Sequence, residues 1–212
     1  SARPTGPIPA DMPDHREKPL PYDFDLGRAK SLLVEAGYPE GRDPATGKRL
    51  EITYDIGRAD DLEQRQSAEL FANFMDKIGI VVKPVYNNWP TFLDKLDRRQ
   101  VQLYSLRWIA DYPDADNFLQ LFYGANASPG PNHSNYANPE FDKLYDRAKV
   151  LSDGPERAEL YQQMADLAVE DVPWIFASDM LAFVLHQPRL KNYKMHPFAA
   201  GLEKYYRLES SK

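Results

Sequence analysis

The sequence predicts an α/β fold with a mainly parallel central sheet flanked by helices. Three strand patterns, at residues 50–56, 80–85 and 101–108, are separated by two stretches of helical periodicity at residues 62–78 and 89–99. The first strand alternates apolar and polar side chains, as half-buried strands do. Strand, helix, strand, helix, strand in this order favours right-handed crossovers between parallel strands.

Other elements are predicted on both sides of this pattern. Asp25 and Asn138 are candidate N-caps, because a short polar side chain there can accept a hydrogen bond from the first helical turn. The apolar runs within residues 173–186 predict an antiparallel pair of strands around Asp179. Helical periodicity outside the central pattern covers three stretches, residues 25–36, 139–151 and 155–171.

Composition narrows the functional classes. The 212 residues carry a formal net charge of -6, which disfavours nucleic acid as a partner, because phosphate backbones need a basic surface. The absence of cysteine excludes disulfides, thiol catalysis and cysteine-ligated zinc. The sequence contains no run of 18 apolar residues, so no membrane span is predicted. The first 21 residues hold six of the 18 prolines and are expected to form an extended lead-in.

One short stretch, residues 107–124, places three acids close to two large aromatic side chains. Asp111, Asp114 and Asp116 fall within six residues, with Trp108 and Tyr112 beside them. These acids have four possible uses: to bind a metal, to catalyse a reaction, to cap a helix or to hold a cationic ligand.

Metal binding and catalysis find no support in the residue spacing. A calcium loop counted from Asp114 would need Gly at its sixth position and Glu at its twelfth, where the chain has Leu119 and Ala125. The four histidines lack helical two-ligand spacing. No phosphate-binding glycine loop, serine elbow or zinc-protease motif is present. We therefore expect no metal, no cofactor and no catalytic residue. The alternative from the class of enzymes is a hydrolase that uses two of the clustered acids.

The remaining uses separate the three acids. Asp114 and Asp116 are interpreted as turn and helix-cap residues before a helix that begins near Asn117. Asp111 follows the predicted third strand, and ligands of open α/β sheets gather beyond the carboxyl ends of strands. Its carboxylate could pair with an ammonium, and Trp108 with Tyr112 could add an apolar or cation–π wall. From the residues alone, Asp111 could either bind a cationic ligand or simply be a turn residue.

The order of several stretches resembles the extracellular solute-binding proteins of ABC importers, family 5. The most specific is "WIADYPDADNFLQLF" at residues 108–122, and the resemblance runs over almost the whole chain. The other matching stretches are "GPIPADMP" (6–13), "YDFDLGRAKSLLVEAGYPEG" (22–41), "NWPTFLDKL" (88–96), "NYANPEFDKLYDRA" (135–148) and "RAELYQQMADLAVEDVPWI" (157–175).

The resemblance implies one lobe of a type II periplasmic-binding-protein-like fold and the C-terminal half of a longer protein. Residues 1–21 would form a proline-rich crossover segment, and residues 22–190 the C-terminal ligand-binding lobe. Residues 191–212 would return to the missing N-terminal lobe.

The resemblance also implies site residues. Asp111 matches the acid that holds a peptide α-amino group in peptide-binding members. Arg107 stands where glycine is common, and Ala115 replaces a usual proline. The ligand-binding residues that it implies are Trp89, Arg107, Trp108, Ile109, Asp111, Tyr112, Asn135 and Tyr136.

The implied function is capture of di- or oligopeptides and delivery to a membrane permease of an ABC importer. The location would be periplasmic or extracellular, with the protein either free or lipid-anchored through a segment upstream of this chain. Alternatives are a non-peptide solute such as a nickel complex, a sugar or an opine, and a sensory or chaperone-like use of the fold. The isolated lobe is expected to bind weakly and to self-associate through its exposed cleft face.

Overall fold

A computed structural model describes residues 2–181, 183–195 and 202–209. The chain forms two compact units, and each is described by itself. The first unit consists of Ser1–Leu20, Ile109–Tyr123 and Ala137–Lys212, and the second of Pro21–Trp108 and Gly124–Tyr136. Among the described helices, none combines the length and the apolar character that crossing a membrane requires.

The second unit is built on the predicted parallel sheet, which the structure confirms. The sheet has the strand order β2-β1-β3, and β1 is hydrogen-bonded in parallel to both neighbours. The strands are β1 (Glu51–Ile56), β2 (Val81–Tyr86) and β3 (Leu103–Ser105), and the helices are α1 (Leu26–Glu35), α2 (Leu62–Asp76) and α3 (Trp89–Asp97). The buried apolar side chains between sheet and helices include Ile56, Ala68, Val82, Phe92 and Leu96.

Local sequence explains where these helices begin. The predicted cap is confirmed for α1, because the Asp25 side chain accepts a hydrogen bond from the backbone N–H of Arg28. Asn88 caps α3 in the same way through the N–H of Thr91, and Pro90 lies in the first turn, where a missing N–H costs nothing.

The third strand is shorter than predicted. Pairing with β1 covers only Leu103–Ser105, so the prediction of a strand running to Trp108 was wrong. At its start, the Gln102 side chain accepts the backbone N–H of Thr53 at 2.8 Å, replacing a ladder bond. At its end, β1 stops at Ile56, which leaves residues beyond Ser105 without a partner strand.

The first unit is mainly helical. Its helices are α4 (Asp116–Leu119), α5 (Pro139–Ala148) and α6 (Pro155–Asp171), with a 3-10 turn at Gln120–Phe122 continuing α4. The predicted cap of α5 is confirmed, because the Asn138 side chain accepts the N–H of Glu140 and of Phe141. The fully buried side chains of these helices are Asn117, Leu119, Leu121, Phe122, Phe141, Ala148, Tyr161, Met164 and Ala168.

The predicted strand pair within residues 173–186 was wrong for the residues that the structure describes there. The described residues of this segment make one β-bridge, in which Asp179 and Ala2 exchange backbone hydrogen bonds of 2.9 and 3.0 Å. Two short strands among the described residues of this unit lie further on, at β4 (Leu190–Lys191) and β5 (Arg207–Leu208), and pair antiparallel.

The N-terminal segment of the first unit packs along α6. Its side chains Ile8 and Met12 are buried, and Gln162 of α6 donates a hydrogen bond to the carbonyl of Asp14. Lys18 contributes an ion pair of 2.7 Å to Asp166 of the same helix. The predicted boundaries between residues 21 and 22 and between residues 190 and 191 stay predictions.

Candidate functional site

The predicted site residues are distributed over both units. Ile109, Asp111 and Tyr112 belong to the first unit. The other five belong to the second unit: Trp89, Arg107, Trp108, Asn135 and Tyr136.

In the first unit, the centre of the candidate site is the Asp111 turn, residues 111–116, which leads into α4. The Asp111 side chain is exposed, and no described protein group donates a hydrogen bond to its carboxylate or pairs with it. Its backbone N–H is held by the Asn117 side-chain oxygen at 3.3 Å. Ile109, two residues before Asp111 in the sequence, has an apolar side chain that is 70% exposed.

The other two acids of the turn are engaged within the protein. Asp114 accepts the backbone N–H of Asp116 at 2.9 Å, which agrees with its predicted use at the start of a helix. Asp116 accepts the hydroxyl of Tyr112 at 2.8 Å, so its carboxylate orients an aromatic ring rather than capping α4.

The electrostatics of the turn follow from these bonds. Burial alone would raise the pKa of Asp114, but hydrogen bonds from Arg157 and from the N–H of Asp116 outweigh it and lower that pKa. Burial and the bond to Asp116 raise the pKa of the Tyr112 hydroxyl, which therefore remains a neutral donor. The turn thus keeps Asp114 ionised at neutral pH.

In the second unit, aromatic side chains provide apolar surface. Trp89 begins α3, is 46% exposed and packs its ring 5.8 Å from the ring of Phe92. Trp108 is half-buried, and the adjacent Arg107 is exposed. Because β3 ends at Ser105, residues 106–108 are a connecting segment and not the end of a strand.

Asn135 and Tyr136 lie in a loop with its own polar network. The Asn135 amide accepts the N–H of Ser128 and donates to the carbonyl of His133, both at 3.0 Å. The buried Asn132 donates to the Tyr136 carbonyl at 2.9 Å. In this structure the Asn135 side chain therefore shapes its own loop, and a contact of either residue with a ligand stays a prediction.

Sequence reasoning missed the residues of α6 that hold the turn. Arg157 pairs with Asp114 at 2.7 Å, and the Tyr161 hydroxyl donates to the same carboxylate at 3.1 Å. The available signal was the four-residue spacing of Arg157 and Tyr161, which places them on one face of α6. Their partner lies 43 residues from Arg157, and no periodicity connects the two.

The donor chemistry of the described residues does not indicate a metal centre. Across residues 2–181, 183–195 and 202–209, no three metal-ligating side chains converge. His196 was one of the four histidines considered and lies outside the described residues.

Comparison with known proteins identifies the family. The sequence profile of "Bacterial extracellular solute-binding proteins, family 5 Middle" matches residues 2–130, which is more than half of the chain. The chain therefore belongs to the family 5 bacterial extracellular solute-binding proteins, a family of binding proteins and not of enzymes.

Individual relatives agree with this assignment. Heme-binding protein A of Haemophilus influenzae is 30% identical over 200 residues, covering 94% of this chain. Di/tripeptide-binding protein 1 of Pseudomonas aeruginosa is 30% identical over 205 residues, again covering 94% of the chain. The chain spans 35% of the length of each of these two relatives.

A solved structure confirms the fold. The ABC transporter-associated periplasmic binding protein DppA from Helicobacter pylori, in complex with the peptide STSA, matches with a TM-score of 0.78 and 26% identity. The match covers 99% of this chain and 39% of that protein. The prediction of one part of a type II periplasmic-binding-protein fold is thereby confirmed.

Proposed function

We propose that the protein carrying this chain is the solute-binding component of an ABC importer and that it captures di- or oligopeptides. In this proposal two lobes close around the peptide by hinge motion, and the loaded protein delivers it to a membrane permease. Its location would be periplasmic or extracellular, either free or lipid-anchored. Two relatives support the choice of peptides: one is named a di/tripeptide-binding protein, and one was solved with a bound peptide.

The observation that carries the proposal is the unpaired carboxylate of Asp111. Both neighbouring acids, Asp114 and Asp116, are satisfied by protein donors, whereas Asp111 is exposed and has none among the described residues. A carboxylate held by its backbone and left open can form a charge-assisted hydrogen bond with an α-ammonium group. This bond strengthens when lobe closure excludes water.

Aromatic side chains would supply the remaining surface. Trp108 and Trp89 would enclose apolar parts of the peptide, and Ile109 would contribute through its backbone. Tyr112, oriented by Asp116, would stand beside the ammonium. Asn135, Tyr136 and Arg107 are proposed at the edge of the pocket.

The test is Asp111→Asn in the full-length protein, which preserves side-chain size and removes the charge. Loss of a hydrogen bond to a charged group costs about 1.5–3 kcal/mol, and this corresponds to a rise in Kd of roughly 10- to 100-fold. Isothermal titration calorimetry with the dipeptide Ala-Ala measures the change. N-acetyl-Ala-Ala, which has no ammonium, should bind native protein and variant with similar weak affinity.

Asp94→Asn is the matched control, because Asp94 is an exposed acid on α3. It should leave the affinity for Ala-Ala unchanged. Equal affinities of native protein and Asp111→Asn for Ala-Ala would remove Asp111 from the site.

The identity of the solute needs a separate measurement. Mass spectrometry of molecules that co-purify with the full-length protein should detect peptides with free amino termini. Detection of haem, a nickel complex, a sugar or an opine instead would contradict the peptide proposal. Permease and ATPase genes beside the gene would support the importer, and their absence would favour a sensory or chaperone-like use.

The fragment by itself should behave differently from the whole protein. We expect weak or no binding of Ala-Ala, because half of the cleft walls are missing. Exposed apolar side chains such as Ile109 favour self-association through the cleft face at high concentration. A constant monomer mass in light scattering up to millimolar concentration would contradict this expectation.

A further inference from the structure

The Asp111 turn is tied to α6 through the carboxylate of Asp114. Arg157 donates to one carboxylate oxygen at 2.7 Å, and the Tyr161 hydroxyl donates to the other at 3.1 Å. The second oxygen also accepts the N–H of Asp116 at 2.9 Å. Both oxygens are therefore used, and the middle of the turn is fixed to two side chains of a single helix.

Contacts within and beside α6 hold the Arg157 side chain in place. Asp153, which lies just before the first residue of α6, accepts a second hydrogen bond from Arg157 at 2.8 Å. The Arg157 guanidinium also lies 4.7 Å from the centre of the Tyr161 ring, a cation–π contact. The Arg157 side chain is only 14% exposed, and the same helix contributes the buried residues Leu160 and Met164 to the core. Arg157 thus has little freedom to move away from Asp114.

The connection continues from Asp114 to Asp111. The N–H of Asp114 donates to the Tyr112 carbonyl at 2.9 Å, which closes the turn. The N–H of Asn117 donates to the Asp114 carbonyl at 3.1 Å, and the buried Asn117 side chain accepts the N–H of Asp111. Because no group of the described residues holds the Asp111 carboxylate, its position depends on the backbone of the turn.

We propose that Arg157 and Tyr161 are positioning residues for the ligand-anchoring carboxylate of Asp111, acting through Asp114. The affinity part of this inference rests on the proposed function of Asp111. A rigid helix outside the turn holds the turn in one conformation, so the ligand does not have to order it on binding. Preorganisation of this kind raises affinity by reducing the entropy lost in the complex.

The surroundings show why Arg157 is the residue that matters. Asp14, Asp114 and Asp153 line one recess of the first unit together with Arg157. Among the residues lining this recess, Arg157 is the one cation that faces the three acids. Without it, Asp114 would be repelled by Asp14 and Asp153 and would turn toward water, which would release the turn.

The experiment uses the full-length protein with Arg157→Met, Tyr161→Phe and the conservative variant Arg157→Lys. Hydrogen–deuterium exchange of a peptide covering residues 109–118 should become about tenfold faster in Arg157→Met. A peptide covering residues 139–149 of α5 should be unchanged. Tyr161→Phe removes one hydroxyl without changing the core, so it is the variant to use if Arg157→Met does not fold.

Binding provides the second readout. Kd for Ala-Ala should rise about tenfold in Arg157→Met, less in Tyr161→Phe and Arg157→Lys, and little for N-acetyl-Ala-Ala. Combining Arg157→Met with Asp111→Asn should add almost nothing to the effect of Asp111→Asn alone. Arg147→Met is the matched control, because Arg147 pairs with Glu156 only on the exposed surface at 3.5 Å.

The outcomes distinguish the two proposals. If Asp111→Asn leaves Ala-Ala binding unchanged, the function proposed for Asp111 fails, and the exchange rates still decide whether Arg157 holds the turn. If Asp111→Asn weakens binding while Arg157→Met matches Arg147→Met in both exchange and affinity, the positioning role is wrong. Equal loss of affinity for Ala-Ala and N-acetyl-Ala-Ala would also overturn it, because it would indicate general damage to the fold.

Discussion

The buried carboxylate of Asp55 allows a quantitative prediction for the sheet of the second unit. Its side chain is 3% exposed and pairs with Lys95 of α3 at 2.8 Å. Asn87 donates a second hydrogen bond to the same oxygen at 2.9 Å. Replacement of Lys95 by Met keeps most of the aliphatic stem and removes the charge. The carboxylate then remains buried at the end of β1 with one neutral donor.

The expected cost follows from the exposure of the two partners. Breaking a fully buried ion pair by removing one partner costs about 3–5 kcal/mol. Lys95 is 27% exposed, so water partly replaces its charge, and we expect Lys95→Met to lower the free energy of unfolding by about 2–3 kcal/mol. For a chain of this size the melting temperature should fall by about 4–12 °C.

The assay is urea unfolding at pH 7, followed by circular dichroism. Arg98→Met is the matched control on the same helix, because Arg98 pairs with Asp94 on the surface and should cost about 0.3–0.5 kcal/mol. The double variant Asp55→Asn with Lys95→Met should recover most of the lost stability, because no unpaired charge remains buried. A cost for Lys95→Met no larger than for Arg98→Met, or a double variant less stable than Lys95→Met alone, would refute this reasoning.

Three further substitutions test the backbone, the core and the charge balance. Gly79→Ala should lower the urea midpoint strongly, because Gly79 has φ of +91° and a Cβ there would lie 2.0 Å from the carbonyl oxygen of Glu40; an unchanged midpoint would contradict this close approach. Phe122→Ala should lower the free energy of unfolding by about 3–5 kcal/mol, because the ring is fully buried among aromatic neighbours, and calorimetric melting measures the loss. Asp14→Asn should raise the urea midpoint at pH 7, because burial and the charge of Asp114 raise the pKa of Asp14, so that its ionisation opposes folding. That gain should vanish at pH 3, below the ordinary pKa, where Asp14 is protonated in folded and unfolded chains; a gain that persists at pH 3 would have another origin.

The elements that the sequence predicted correctly are those with local causes. Asp25 and Asn138 form their caps with N–H groups two or three residues away, so the same few residues specify both the helix and its start. The parallel sheet could be predicted from the alternation of strands and helices, because a helix between two strands brings the second back parallel to the first.

The failures concern partners that are distant in sequence. Residues 101–108 have a strand pattern along their whole length, but the extent of β3 depends on where β1 ends, at Ile56. The runs around Asp179 also have strand composition, yet the ladder partner of Asp179 is Ala2, near the opposite end of the chain. Composition predicts that a segment can pair, and only the fold determines the partner.

The acids of residues 111–116 differ in whether protein donors satisfy their carboxylate oxygens. A carboxylate that stabilises a fold is expected to have its oxygens satisfied by protein donors, and Asp114 has three such donors. A carboxylate that anchors a ligand must leave its oxygens open, because donors from the protein would compete with the ammonium. Asp111 meets this second requirement, and its backbone N–H is still held by Asn117. Removal of Arg157 or Tyr161 should therefore reduce the order of the turn without adding or removing any direct partner of the Asp111 side chain.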